Sequence, residues 1–273
     1  MNRVLCSTGA LIGRPNNRDY RLIKEFAPKL ECDGFEFMMY STWYNQVEKL
    51  INELINTNLD FPVMHCEKQI GEDLGRNEDG NYSIAKEKFK INCDIAKEIG
   101  AKKMVMHLWN GQYSDSTIEN NIKGYEQINK IAKDYGIELL IENVVCNHNS
   151  PLEHWITLLE KYPDIKFIFD TKMAAFHSQL EEIYKKENKH LWDSHIRHLH
   201  INDYAGGYKD WGNLRTLPIS KGNINFDKFF AFINQIQYHG EYTVEATAFS
   251  DNGNIDYDML NNCFKYIKNK IKK

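Results

Sequence analysis

Short apolar, β-rich runs alternate with longer amphipathic stretches from one end of this sequence to the other, a pattern that few folds accept. The runs are 3–6, 34–40, 61–65, 103–107, 138–142, 166–170, 198–201 and 241–245, and a helical pattern follows each. After the second run, Val47, Leu50, Ile51, Leu54 and Ile55 recur at i, i+3, i+4, i+7 and i+8, which predicts one apolar stripe on a helix lying against a sheet. Continuous apolar runs such as Phe167-Ile168-Phe169 indicate strands covered on both faces, as in a parallel sheet with crossover helices. Eight βα units in 273 residues predict an α/β fold, a (β/α)8 TIM barrel, as a single domain over 1–273 with no linker. A doubly wound sheet is the alternative. It normally carries a Gly-rich phosphate turn after the first strand, and Ser7-Thr8-Gly9-Ala10-Leu11-Ile12-Gly13 is not that motif. Ser116-x-x-Glu119 and Ser150-Pro151-Leu152-Glu153 each offer a capping box at a helix start. The longest loops, 66–82 and 202–222, follow strands and so fall on the catalytic face of a barrel.

Composition narrows the function classes. Lys and Arg number 34 against 38 Asp and Glu, a formal charge of −4, which gives no general electrostatic reason to hold a polyanion. Nucleic-acid binding is therefore disfavoured as the main task. No stretch approaches the roughly 18 apolar residues needed to span a bilayer, and the start is too short and polar for a signal peptide. A cytoplasmic protein with no membrane partner is expected. The six cysteines, at 6, 32, 66, 93, 146 and 263, form no C-x-x-C pair and suit buried or free thiols in a reducing compartment.

The informative feature is what terminates the apolar runs. Six consecutive runs, from the third to the eighth, end in His65, His107, Glu142, Asp170, His200 and Glu245. For any one of them the bland reading is a polar rim or a helix cap. In a barrel, however, strand carboxyl ends converge on the axis, so these side chains would share one pocket. Three carboxylates placed that close repel one another unless a cation sits among them. Two Glu, one Asp and one imidazole form a hard, oxygen-rich set that suits Mn2+, Mg2+, Co2+ or Fe2+ and also holds Zn2+.

At these residues the sequence resembles the xylose isomerase-like TIM barrel superfamily, which includes sugar phosphate isomerases and epimerases, inosose-converting enzymes and the AP endonuclease family 2. The likeness runs from Cys32-Asp33-Gly34-Phe35-Glu36 through His200-Ile201-Asn202-Asp203 and Leu217-Pro218-Ile219-Ser220-Lys221-Gly222-Asn223-Ile224 to Glu245. It implies that Glu142, Asp170, His200 and Glu245 hold one divalent metal ion, with His65 and His107 as second-metal or substrate-contacting residues. Departures separate the branches. Endonuclease IV-like members carry Asp-x-x-His after strand six and Asp-x-His before the Gly-x-Gly turn. Here those stretches read Asp170-Thr171-Lys172-Met173 and Leu214-Arg215-Thr216, so a three-zinc phosphodiesterase on abasic DNA is disfavoured. A His at 173 would grip substrate in ketose epimerases; His177 is the candidate replacement, with a helix-surface role as the blander reading. Val144 stands where true xylose isomerases carry a lysine.

The resemblance implies metal-dependent isomerisation or epimerisation of a sugar, sugar phosphate or polyol, by proton abstraction next to a carbonyl through a metal-stabilised enediolate. Glu142 and Glu245 are then the acid/base pair, and Asp203 orients the ligands from behind. An inosose-type dehydratase is the alternative, followed by a non-catalytic sugar-binding barrel. Softer candidates are Trp109, as a stacking surface or as packing, and Lys172 and Arg215, as phosphate or carboxylate contacts or as solvated charges. Tyr204, Tyr208 and Trp211 with Gly206-Gly207 read as a closing lid or as an ordered or oligomeric loop. Glu36, inside an apolar run, reads as a buried group behind the ligands, with no role assigned to it. The expected partner is a small carbohydrate or polyol, and a homo-oligomer is compatible with the sequence.

Overall fold

The computed structural model describes residues 2–76, 81–111 and 113–271. Eight strands run Arg3–Ser7 (β1), Phe35–Met38 (β2), Val63–His65 (β3), Lys103–Met106 (β4), Glu138–Glu142 (β5), Lys166–Asp170 (β6), Ile196–Ile201 (β7) and Glu241–Val244 (β8). They are hydrogen-bonded in chain order as a closed barrel, with parallel neighbours. Each lies within one or two residues of its apolar run; β2 stops at Met38, and Tyr40 leads into a 3-10 stretch, Ser41–Gln46. Contacts divide the chain into two compact units, 1–36 with 169–273, and 37–168.

In the first unit β1 pairs with β8 through Arg3 and Glu241 up to Cys6 and Val244, and with β2 through Cys6 and Phe35. β7 pairs with β8 so that His200 stands opposite Thr243. Alternate strand residues share a face, so His198 and His200 point the same way, as do Thr243 and Glu245 beyond the strand end. The aromatic core of this unit stacks Phe169 on Phe229 and tilts it against Trp192. In the second unit β3, β4 and β5 pair in order, and β5 pairs with β6 through Glu142 and Ile168. There Trp155 stacks on Phe167 with ring centroids 4.3 Å apart.

Two local expectations need correction. The helix Val47–Ile55 buries Leu50 and Leu54, but Ile55 is exposed, so the stripe ends one residue early at the helix terminus. Ser150 closes a capping box with Glu153, whereas Ser116 caps nothing: its N–H closes a turn onto the Tyr113 carbonyl, and the helix begins at Ile118 after Thr117. Loop 66–82 contains a helix, Gln69–Arg76, and its residues 77–80 lie outside the described ones. Among the described residues no helix is long and apolar enough to cross a membrane.

Candidate active site

The first unit gathers three carboxylates and two imidazoles, all buried or nearly so. Glu36 on β2 is fully buried. Its Oε1 lies 2.9 Å from His200 Nε2, and its Oε2 lies 2.9 Å from His198 Nε2 and accepts from the Thr243 hydroxyl at 2.8 Å. Burial pushes the Glu36 carboxyl up, but the His200 charge and the hydrogen bonds from His198 and His200 outweigh it and hold the group well below the usual carboxylate range. While Nε2 of His200 faces Glu36, its Nδ1 lies 3.5 Å from Glu245 Oε2 and 3.9 Å from Asp170 Oδ2.

Asp170 divides its oxygens between two tasks. Oδ1 accepts the Met173 N–H at 2.7 Å and caps the short helix Thr171–Phe176, so the helix-cap reading holds for that atom. Oδ2 faces the cluster and accepts from Asn202 Nδ2 at 3.0 Å. The same amide reaches Glu245 Oε2 at 3.5 Å, and Glu245 Oε1 is buried with no hydrogen-bond partner among the described residues. One ligand atom each from Asp170, His200 and Glu245 lies within 4.8 Å of the others. An orphaned carboxylate oxygen, a second carboxylate and an imidazole braced from behind by a carboxylate make a donor set that fits a divalent cation.

The second unit holds Glu142 with both remaining strand-end histidines. His107 Nε2 lies 2.8 Å and His65 Nε2 3.4 Å from Glu142 Oε2. Their far nitrogens are held by neutral groups. His65 Nδ1–H donates to the Cys66 carbonyl at 2.8 Å, and His107 Nδ1 lies 3.0 Å from Asn110 Oδ1. Burial pushes the His107 ring down to about 4, only partly offset by Glu142, while Lys68 and His65 push the same way. A third acidic cluster, Asp115 with Cys146 and His154, is structural: its carboxylate accepts the N–H groups of Asn147, His148 and Asn149 and faces His154 Nε2 at 3.0 Å.

The softer candidates divide between burial and exposure. Trp109 is 0% exposed, its N–H on the Val144 carbonyl and its ring edge-on to His154; no face remains for a sugar, and it is packing. Asp203 bonds the loop instead of the ligands, accepting from the N–H groups of Tyr204, Gly222 and Ile224. The part it was expected to play, contact with the ligands, is taken by Asn202. Tyr204 is buried and braces the same loop through Gly207 and Asp210, while Tyr208 and Trp211 are 66% and 49% exposed. Arg215 is exposed. Lys172 is buried instead of solvated, and His177 is buried against Phe176 instead of lying on a helix surface. While Glu36 is the buried group behind the ligands that the sequence suggested, His198, Asn202 and Thr243 escaped the sequence reading. Their signal was the period-two spacing of polar residues in 198–202 and 243–245, together with a glutamate inside an apolar run that needed a partner.

A parallel eight-stranded barrel with imidazole and carboxylate side chains at its strand ends defines a narrow class of proteins. Residues 25–260 match the xylose isomerase-like TIM barrel family, and the chain belongs to it. The chain is 31% identical over 165 residues to the uncharacterized protein MJ1311 of Methanocaldococcus jannaschii, a stretch that is 55% of this chain and 52% of that protein. It thus spans about half the length of that relative. Among solved structures, a D-tagatose 3-epimerase-like protein aligns with a TM-score of 0.69 at 20% identity, covering 98% of this chain and 96% of the other. D-allulose 3-epimerase from Methylomonas sp., in complex with D-allulose, aligns with a TM-score of 0.69 at 17% identity, covering 98% and 97%.

Proposed function

We propose that the protein is a metal-dependent isomerase or epimerase of a sugar or related polyol, acting by proton transfer next to a carbonyl. The observation that carries this is the Asp170–His200–Glu245 group with Glu36 behind it, a buried excess of negative charge that a divalent cation neutralises. The family resemblance adds Glu142 to the metal-binding residues, and Mn2+, Mg2+, Co2+, Fe2+ and Zn2+ all suit such donors; a second ion beside His65 and His107 is compatible with the three-residue group they form with Glu142. When bound, the cation supplies Lewis-acid polarisation of a carbonyl and the neighbouring hydroxyl.

The side chains do the rest. Glu245 and Glu142 take and return the proton on the carbon between those oxygens. Asn202 Nδ2 steadies the oxygens of Asp170 and Glu245 so that neither swings away, and Glu36 fixes the His200 ring and its tautomer. His107 stays uncharged near neutrality and is available as a hydrogen-bond partner for substrate hydroxyls. That one structural neighbour is D-tagatose 3-epimerase-like and the other a D-allulose 3-epimerase holding D-allulose supports this reading. The family match extends across both compact units and supports treating 1–273 as one domain. Six free thiols support a reducing, cytoplasmic setting.

The test is a screen of the metal-loaded protein against keto-sugars and inososes in deuterated water. Deuterium entering an epimer or isomer without loss of water is the expected result. Loss of water would instead establish the dehydratase, and an intact metal site with no exchange into any sugar would move the protein to a binding role.

A further inference from the structure

The segment following β6 holds a buried cation that the chemistry above leaves unused. Lys172 is 6% exposed, and its Nζ donates to Thr216 Oγ1 at 3.0 Å. Among the described residues it forms no ion pair, whereas surface lysines such as Lys88, Lys189 and Lys268 each sit on an aspartate. An ammonium carries three donor hydrogens and a full charge, and one neutral hydroxyl answers only one of the three.

The position of this lysine is tied to the site. Its backbone N–H donates to Asn202 Oδ1 at 3.2 Å, and the other end of that amide holds Asp170 and Glu245. The Thr216 carbonyl accepts the N–H of Thr247, two residues beyond Glu245. Arg215, adjacent to Thr216, is exposed and among the described residues forms no ion pair. In a chain of net charge −4, one threonine beside the ligand-bearing segments thus meets a buried lysine in space and follows an exposed arginine in sequence, neither of them in an ion pair among the described residues.

We propose that Lys172, with Thr216 and Arg215, takes an anionic substituent of the substrate, so that the sugar or polyol is a phosphate ester or a sugar acid and not a neutral sugar. This rests on the sugar or polyol reading of the site. Phosphate and carboxylate share the chemistry that an ammonium and a hydroxyl recognise, three or two acceptor oxygens bearing a formal charge.

Two measurements separate this inference from the reading beneath it. In the first, inorganic phosphate is titrated into the metal-loaded full chain by calorimetry, for wild type, Lys172→Gln and Lys172→Arg. Saturable binding that weakens about 10- to 100-fold in Lys172→Gln and is partly restored in Lys172→Arg is expected. Phosphate affinity that is absent in wild type, or equal in wild type and Lys172→Gln, overturns the proposal. Should Lys172→Gln fail to fold, Thr216→Val and Arg215→Ala carry the same comparison, each with weaker phosphate binding expected.

In the second, deuterium exchange is followed for one ketose, its terminal phosphate and the corresponding sugar acid. A kcat/KM preference of about 10- to 100-fold for an anionic form, shrinking toward parity in Lys172→Gln, is expected, and the better of the two anions names the group. Equal use of all three compounds overturns the proposal. Exchange on none of them defeats the isomerase reading, while the phosphate titration still decides the lysine site.

Discussion

The two compact units each carry a strand-end cluster of histidine and carboxylate, and they differ in what stands behind the histidines. In the first, Glu36, Asp170 and Glu245 surround His198 and His200, and the nitrogen of His200 remote from the ligand oxygens is bonded to a carboxylate. In the second, one carboxylate, Glu142, faces two histidines whose far nitrogens meet a backbone carbonyl and an asparagine. A carboxylate behind an imidazole makes its other nitrogen a stronger donor to a metal, and surplus negative charge needs a cation. Neutral backing leaves a ring suited to hydrogen bonding. On the proposed function, the first cluster is the chief cation holder and also supplies Glu245 for proton transfer, and the second supplies Glu142 and rings suited to hydrogen-bonding hydroxyls.

Substitutions that break this contrast rank by size. Glu245→Gln and Glu142→Gln are nearly isosteric, and each should lower turnover about 1000-fold with the fold kept, because each removes a proton-transfer group. Retention of full activity on an identified substrate by either variant would show that the acid/base assignment is wrong. Next, Glu36→Gln should weaken metal affinity about 10- to 100-fold, measured by competition with a chelator. Asn110→Ala, behind His107, should change it only a few-fold, since a neutral hydrogen bond contributes about 0.5–1.5 kcal/mol. Equal effects of these two substitutions would erase the distinction between the clusters. Thr243→Val removes one neutral donor from Glu36 and should move metal affinity less than Glu36→Gln does.

The smallest effect on activity belongs to the clasp outside both clusters. Asp115→Asn should cost about 1–3 kcal/mol of stability at pH 7, because an amide cannot accept at every position the carboxylate does. Burial pushes this carboxyl up, but the His154 contact and the Asn149, His148 and Asn147 N–H groups outweigh it and leave it well below its usual range. Below about pH 4 the unfolded chain gains a proton here that the folded chain does not. The contribution is therefore full above that pH and falls as the solution becomes more acidic. Urea unfolding of wild type and variant at pH 7 and at lower pH should show the gap narrowing toward acid; a gap independent of pH would show that the charge plays no part.

Much of the barrel was legible because strand-end chemistry is written in consecutive residues. The apolar runs placed the eight strands, and Glu142, Asp170, His200 and Glu245 could be marked as first polar residues after them. What stayed hidden depended on register. Glu36 acquires meaning only when β7 and β8 bring His198, His200 and Thr243 to it, and nothing near residue 36 reports that pairing. The burial of Lys172 stayed hidden for a similar reason. Its burial comes from Thr216 and the loop that Asp203 pins, more than 30 residues downstream. For Trp109 the sequence left stacking and packing open, and the indole N–H on the Val144 carbonyl with the ring fully buried selects packing.

The claim on which the rest depends is that Asp170, His200 and Glu245 hold an ion. Metal content of the purified chain after equilibration with Mn2+, compared between wild type and Asp170→Asn, tests it most directly. One tightly held ion per chain in wild type, sharply reduced in Asp170→Asn while the fold is retained, is the expected result. A wild-type chain that binds no stoichiometric ion, or an Asp170→Asn chain that holds it equally well, would contradict the account.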